Sequence, residues 1–201
     1  MARLSYSKTS LSRQGAQLKR YKQFLPSLDL KRQQLTAERS KAQRQLQQTD
    51  KALQQMQQRV GHALPMLADT TIDLAGLVSV SRVDIGQENI VGVYLPVLIN
   101  LQTRVTPYSF LSKPHWVDQL VDELLQAVQL RIRRQIEWQR LQILERAVKK
   151  ITQRVNLFDK VLIPRTEENI RKIRIYLSDA EKAGVVNAKL TKRKRNRQNV
   201  R

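Results

Sequence analysis

A chain of 201 residues with a net charge of +20, 5% aromatic residues and six glycines is not composed like a globule built around a ball-shaped core. The absence of cysteine excludes disulfides, thiolate metal sites and thiol nucleophiles. The charge calls for an anionic partner, whether nucleic acid, an acidic protein surface or lipid headgroups.

No apolar run reaches the roughly 18 residues of a membrane span. The opening stretch MARLSYSKTSLSRQ lacks the apolar segment of a secretory signal and is read as mature protein, because a hydrophobic register already starts inside it. Steps of seven from Leu4 give Leu11, Leu18, Leu25, Arg32, Arg39, Leu46, Leu53, Val60 and Leu67. Three residues after each come Ser7, Gln14, Tyr21, Leu28, Leu35, Ala42, Thr49, Met56 and Ala63. This is a sustained heptad with a polar interruption at Arg32 and Arg39. It predicts a coiled-coil helix over residues 1–67, about 95 Å long from residue 4 to 67. Pro26 inside it predicts a local kink or an early break.

Residues 68–115 change character. The stretch LVSVSRVDIGQENIVGVYLPVLINLQTRV is rich in Val and Ile and alternates in places. Two or three strands are predicted from about 77 to 106, beginning with a hairpin whose turn is supplied by Gly86 to Asn89. Pro96 predicts a strand end or an edge strand. So small a sheet is marginal alone and must lean on the helices or a partner.

A second helix is predicted over residues 116–187, starting near Trp116 with Leu120, Leu124, Val128, Ile132 and Ile136. Leu144, Val148, Ile151, Val155, Phe158 and Leu162 follow at steps of 4, 3, 4, 3 and 4, again a heptad seam. A helix-interior proline costs roughly 3 kcal/mol, yet beyond Pro164 the seam resumes as Ile170, Ile173, Leu177 and Ala180. The step of eight from Leu162 to Ile170 is a phase slip akin to a stutter, so the proline falls where the seam is already shifting. Gly184 falls at a C-cap position, with helix free to resume beyond it. Residues 188–201, with seven basic and no acidic side chains, predict a disordered tail. Two long amphipathic helices separated by a β insertion pair only by folding back. The predicted fold is therefore mainly α: a long antiparallel two-helix coiled coil with a small β-hairpin insertion.

Catalytic chemistry is hard to place. No G-x-x-x-x-G-K-[ST] loop is present, and the glycines form no dinucleotide fingerprint. His62 and His115 stand alone, without the cluster a metal site needs. Glu167 and Glu168 read as acids at a helix restart after Pro164 rather than as an acid/base pair. No catalytic, cofactor-binding or metal-ligating residue is assigned.

Three segments resemble one family. NLFDKVLIPRTEENIRKIRIYL is similar to the C-terminal signature of the D subunit of V/A-type rotary ATPases, through Arg154, Val155, Asn156, Leu157, Phe158, Asp159, Ile163, Pro164 and Ile170. QLKRYKQFLPSLDLKRQQL resembles its N-terminal run, through Leu18, Lys19, Leu28, Leu30, Lys31, Arg32 and Leu35. ENIVGVYLPVL resembles its central segment, through Asn89, Gly92, Val93 and Pro96. Pro26 and the Leu28-Asp29-Leu30 stretch depart from the family's Gly-His-x-Leu-Leu.

The resemblance implies a non-catalytic central-stalk protein that binds no nucleotide or cofactor. It sits peripherally on the cytoplasmic face of a membrane-bound complex. The implied partners are the catalytic and non-catalytic nucleotide-binding subunits of a hexameric head, the small F subunit of the stalk, and a funnel-shaped adaptor on the membrane rotor ring. Expected contacts to the head are Lys8, Arg13, Lys19, Arg20, Lys192, Arg193 and Lys194. Expected contacts to the small stalk subunit are Val78, Val80, Ile85, Ile90 and Val93. A shaft turning in a ring should carry no large apolar patch outside its seam. Two other readings compete. A basic nucleic-acid-binding coiled coil fits the charge but lacks interleaved aromatics. An export-apparatus stalk protein would lack the β insertion.

Overall fold

The computed structural model describes residues 4–68, 74–108 and 113–198. Helix α1 spans Lys8–Ala63 and is followed by a 3₁₀ turn, Pro65–Ala68. Strands β1 (Val78–Ile90) and β2 (Val93–Val105) come next. Helix α2 covers Trp116–Leu157, a π turn occupies Phe158–Leu162, and α3 covers Ile163–Gln198. The chain divides into two compact units. One joins residues 1–30 to 151–201, and the other is Lys31–Lys150.

In the first unit the start of α1 lies antiparallel to the end of α2 and to α3. Tyr6 meets Tyr176 with ring centroids 5.0 Å apart, and Tyr21 meets Phe158 edge-on at 5.4 Å. Lys8 pairs with Glu181 at 3.5 Å and Lys22 with Glu167 at 2.8 Å. Rising numbers on α1 thus meet falling numbers on its partner. Ile151, Val155, Ile170 and Ile173 are buried, while Leu4, Leu11, Leu18 and Leu25 are half-buried.

The π turn explains how the seam survives Pro164. From Phe158 to Ile170 a plain α-helix would turn about 3.3 times, swinging Ile170 off the buried face. The π turn, closed by the Ile163 N–H donating to the Phe158 carbonyl, absorbs one extra residue. About 3.1 turns remain, and the buried face stays aligned. The position between Leu162 and Ile170 is filled by Thr166, buried to 6% exposure. Its hydroxyl donates to the Leu162 carbonyl at 2.6 Å, so the polar group is satisfied.

Three expectations about the helices are corrected. Pro26 does not end α1, which is continuous through it. Ala180 is exposed, so the buried seam does not extend that far. Residues 188–198 of the tail expected to be disordered are helical, and residues 199–201 lie outside the described residues; α3 runs on through Gly184. From Ala183 to Gln198 the chain holds no proline and many good helix formers, and its basic side chains face the favourable end of the helix dipole. Every side chain from Ser178 to Asn196 is nevertheless exposed.

In the second unit α1 runs antiparallel to α2, with Asp50 bonded to Arg134 and Arg59 lying 4.0 Å from Glu123. The buried residues of α1 are Leu35, Ala42, Thr49 and Met56, spaced by sevens. Leu46, Leu53 and Val60 of the parallel series are half-buried. Leu120, Ile136 and Leu144 are buried on α2.

The sheet has two antiparallel strands, not three, and its turn is not at Gly86–Asn89. Gly86 and Asn89 lie within β1, paired with Val97 and Tyr94. The turn is Val91-Gly92, with φ of 55° and 82°, the two-residue geometry that matches strand twist. Asn89 accepts the Gly92 N–H at 2.9 Å. Gly86 sits in mid-strand because Ile99 leans over it: a Cβ there would lie 2.6 Å from the Ile99 Cδ1. Pro96 does not end β2. In a two-stranded sheet each strand has an open edge, where a missing N–H is tolerated.

The hairpin is anchored at its base and along α2. Leu77 packs with Val117 and Val121 in a buried cluster flanked by Leu74, Val78, Tyr108, Trp116 and Leu125. The Thr106 N–H donates to the Leu77 carbonyl at 2.9 Å, and its hydroxyl to the Gly76 carbonyl at 2.7 Å. Further along, Glu88 pairs with Arg140 at 2.9 Å. Leu98 and Leu101 share a cavity with Gln126, Leu130 and Arg133.

Candidate subunit interface

No group of three or more His, Asp or Glu able to hold a metal occurs among the described residues. His62 and His115 are both exposed. What the two units offer is surface, of two chemical kinds.

The first unit presents cations. Lys8, Arg13, Lys19, Arg20, Lys192, Arg193 and Lys194 are all exposed. They do not form one cluster. Lys8 stands at the level of Glu181, whereas Lys192 lies eleven residues further along α3, about 16 Å by helix rise. After Glu181 the chain has no acidic residue. Ion pairs elsewhere in the unit mute part of the charge: Lys22 with Glu167, Lys172 with Glu168, and Lys182 with Asp179 at 3.8 Å. The hydrogen bond from Lys172, at 2.7 Å, lowers the Glu168 carboxyl below its ordinary range and raises the lysine above its own.

The second unit presents an apolar hairpin. Val80 and Ile85 are exposed, while Val78, Ile90 and Val93 are half-buried. The largest exposed apolar groups there are residues that strand alternation does not single out: Ile99 at 72% and Tyr94 at 63% exposure. Ile99 escapes a period-two reading because it is the extra residue of a bulge between Leu98, paired with Ile85, and Asn100, paired with Asp84. At the hairpin base the Tyr108 hydroxyl donates to Asp118 at 2.6 Å, and this bond raises the phenol above its ordinary value.

Apolar side chains also stand outside the seam. Phe24, Leu157, Val161, Ile175 and Tyr176 of the first unit are exposed, as is Trp138 of the second. Seam spacing gives no warning of them, because their neighbours at heptad positions already complete the buried face.

These features define a protein of long antiparallel helix pairs with an inserted β-hairpin, whose candidate site is its surface. The sequence profile of the ATP synthase D-subunit family matches residues 10–193, and the chain belongs to that family. It is 30% identical over 192 residues to the D subunit of the V-type ATP synthase of Borreliella burgdorferi, covering 96% of this chain and 95% of that one. It is 32% identical over 196 residues to the protein of that name from Chlamydia muridarum, covering 96% of each. The counterpart from Chlamydia felis is 30% identical over 198 residues, covering 96% of this chain and 94% of its own.

Proposed function

We propose that this chain is the central rotor shaft of a V/A-type ATPase or ATP synthase. It transmits torque between a catalytic hexamer and a membrane rotor ring during ion pumping or ATP synthesis. The observation that carries this reading is antiparallel helix pairing in both units of a chain matched to the D-subunit family over almost its whole length. Pairing stiffens helices against bending, and a shaft needs stiffness.

On this reading the protein is non-catalytic and takes no cofactor. The exposed cations Lys8, Arg13, Lys19, Arg20, Lys192, Arg193 and Lys194 meet acidic surfaces of the nucleotide-binding head, where charge guides fit more than it adds affinity. The apolar hairpin, through Val80 and Ile85 with Ile99 and Tyr94, receives the small stalk subunit, with Val78, Ile90 and Val93 behind it. A funnel-shaped adaptor joins the shaft to the ring. No helix of the described residues is long and apolar enough to cross a membrane, which is compatible with a peripheral place on the cytoplasmic face.

The test is capture of the tagged chain from solubilised membranes. Two homologous nucleotide-binding subunits and a small stalk subunit should come with it. Recovery of the chain free of both nucleotide-binding subunits, with the complex intact in the same extract, overturns the reading.

A further inference from the structure

Within the first unit, backbone irregularities of both helices fall within one level of the pair, a stretch about three turns long. Pro26 lies one turn beyond Tyr21 and Lys22. The partners of those two residues are Phe158, the first residue of the π turn, and Glu167, three residues past Pro164. Each proline lacks the N–H that would bond four residues back, so the carbonyls of Lys22 and Lys160 receive no α-helical bond from it. Hydroxyls act on local carbonyls at the same level. Ser27 donates to Phe24 at 2.8 Å and Thr166 to Leu162 at 2.6 Å, a back-bonding pattern that bends helices. Thr166 also puts a polar group in the seam where an aliphatic would grip, and Phe24, Leu157 and Val161 are exposed rather than packed. On either side the helices are regular. Ile151 and Val155 are buried before the level, and Ile170 and Ile173 after it.

We propose that this level is a built-in joint: a place where the helix pair of the first unit bends and twists more readily than the seam flanking it. Fewer backbone bonds cross the level on both helices, and the buried seam place there is held by a threonine, with an edge-on aromatic pair and the half-buried Leu25 and Leu162 beside it. Deformation therefore concentrates there. On the shaft reading, such a joint stores twist between one catalytic step and the next. The mechanical claim itself does not depend on that reading.

The test is residue-resolved amide hydrogen exchange on the intact purified chain, wild type and P26A/P164A. In the wild type, amides of residues 159–167 should exchange at least about tenfold faster than those of 148–156 and 170–176. Restoring two backbone bonds should slow the joint about tenfold, leaving Leu95 and the buried stretch near Leu144 within about twofold of wild type. Uniform protection across 148–176 overturns the joint. So does a slowing spread equally over the hairpin and α2, which marks global stabilisation, and so does unchanged exchange in the variant. Because the assay uses no assembled complex, failure of the joint and failure of the shaft reading are separate results.

Discussion

At the scale of single residues, backbone geometry decides more than side-chain identity. Gly92 holds φ of 82°, where a Cβ costs on the order of 1 kcal/mol. Gly86 has an ordinary φ and is crowded only by the movable end of an exposed Ile99. Gly92→Ala should therefore lower the urea midpoint clearly, and Gly86→Ala should lower it less. The reverse order would show that the hairpin turn is not where stability is set.

Two titrations follow from named pairs. The Glu168 carboxyl is lowered by Lys172, so the pair's contribution is present above the ordinary carboxylate pKa and fades as pH falls through the lowered value. The Tyr108 phenol is raised by its bond to Asp118, so that contribution is complete below the ordinary phenol pKa and is lost as pH rises through the raised one. Carboxyl NMR titration of Glu168, and ultraviolet titration of wild type against Tyr108→Phe, check the two directions. A Glu168 that titrates at or above its ordinary value contradicts the first.

At the scale of elements, the heptad period is a direct readout of burial. Leu35, Ala42, Thr49 and Met56 sit seven apart in the sequence and are the buried residues of α1. Leu144→Ala, at a fully buried position, should cost about 2–5 kcal/mol, and Leu46→Ala, half-buried, clearly less. Chemical denaturation of both variants ranks them. An equal cost would mean that the seam does not carry the helix pair.

What the period does not reveal has physical causes. Thr166 takes a seam place that an apolar scan leaves blank, and a π turn leaves no compositional mark. Gly86-Gln87-Glu88-Asn89 draws the hairpin turn to the wrong place because it has turn chemistry. The residue that does turn with Gly92 is Val91, a β-branched type that rarely adopts φ of 55°. The helical end of α3 is hidden in the sequence because charge runs resemble solvated tails, while helix propensity and the end-of-helix dipole both favour Lys and Arg there. The exposed cations and hairpin residues of the candidate interface are legible as residue types. Ile99 is not, because the bulge removes it from alternation.

At the scale of the whole molecule, the charge is unevenly distributed along the chain, and everything beyond Glu181 is free of acid. Replacing Lys192, Arg193 and Lys194 together by Gln should leave the thermal midpoint within about a degree, as surface changes usually do. It should weaken coupling of ATP hydrolysis to ion pumping in the assembled complex, and shallow the salt dependence of assembly. Unchanged pumping in that variant counts against their role at the head.

Between copies of the chain, the two-stranded sheet poses a hazard: both its outer borders carry backbone groups with no third strand to bond them. Pro96 withholds a donor from one border, while Ser81 and Ile99, the unpaired residues of two bulges, break the flat repeat a fibril would copy. The protein thus carries its own guard against stacking hairpin on hairpin while it waits for assembly. Pro96→Val should remove part of that guard, and rising light scatter at high concentration, with thioflavin binding, would register the loss.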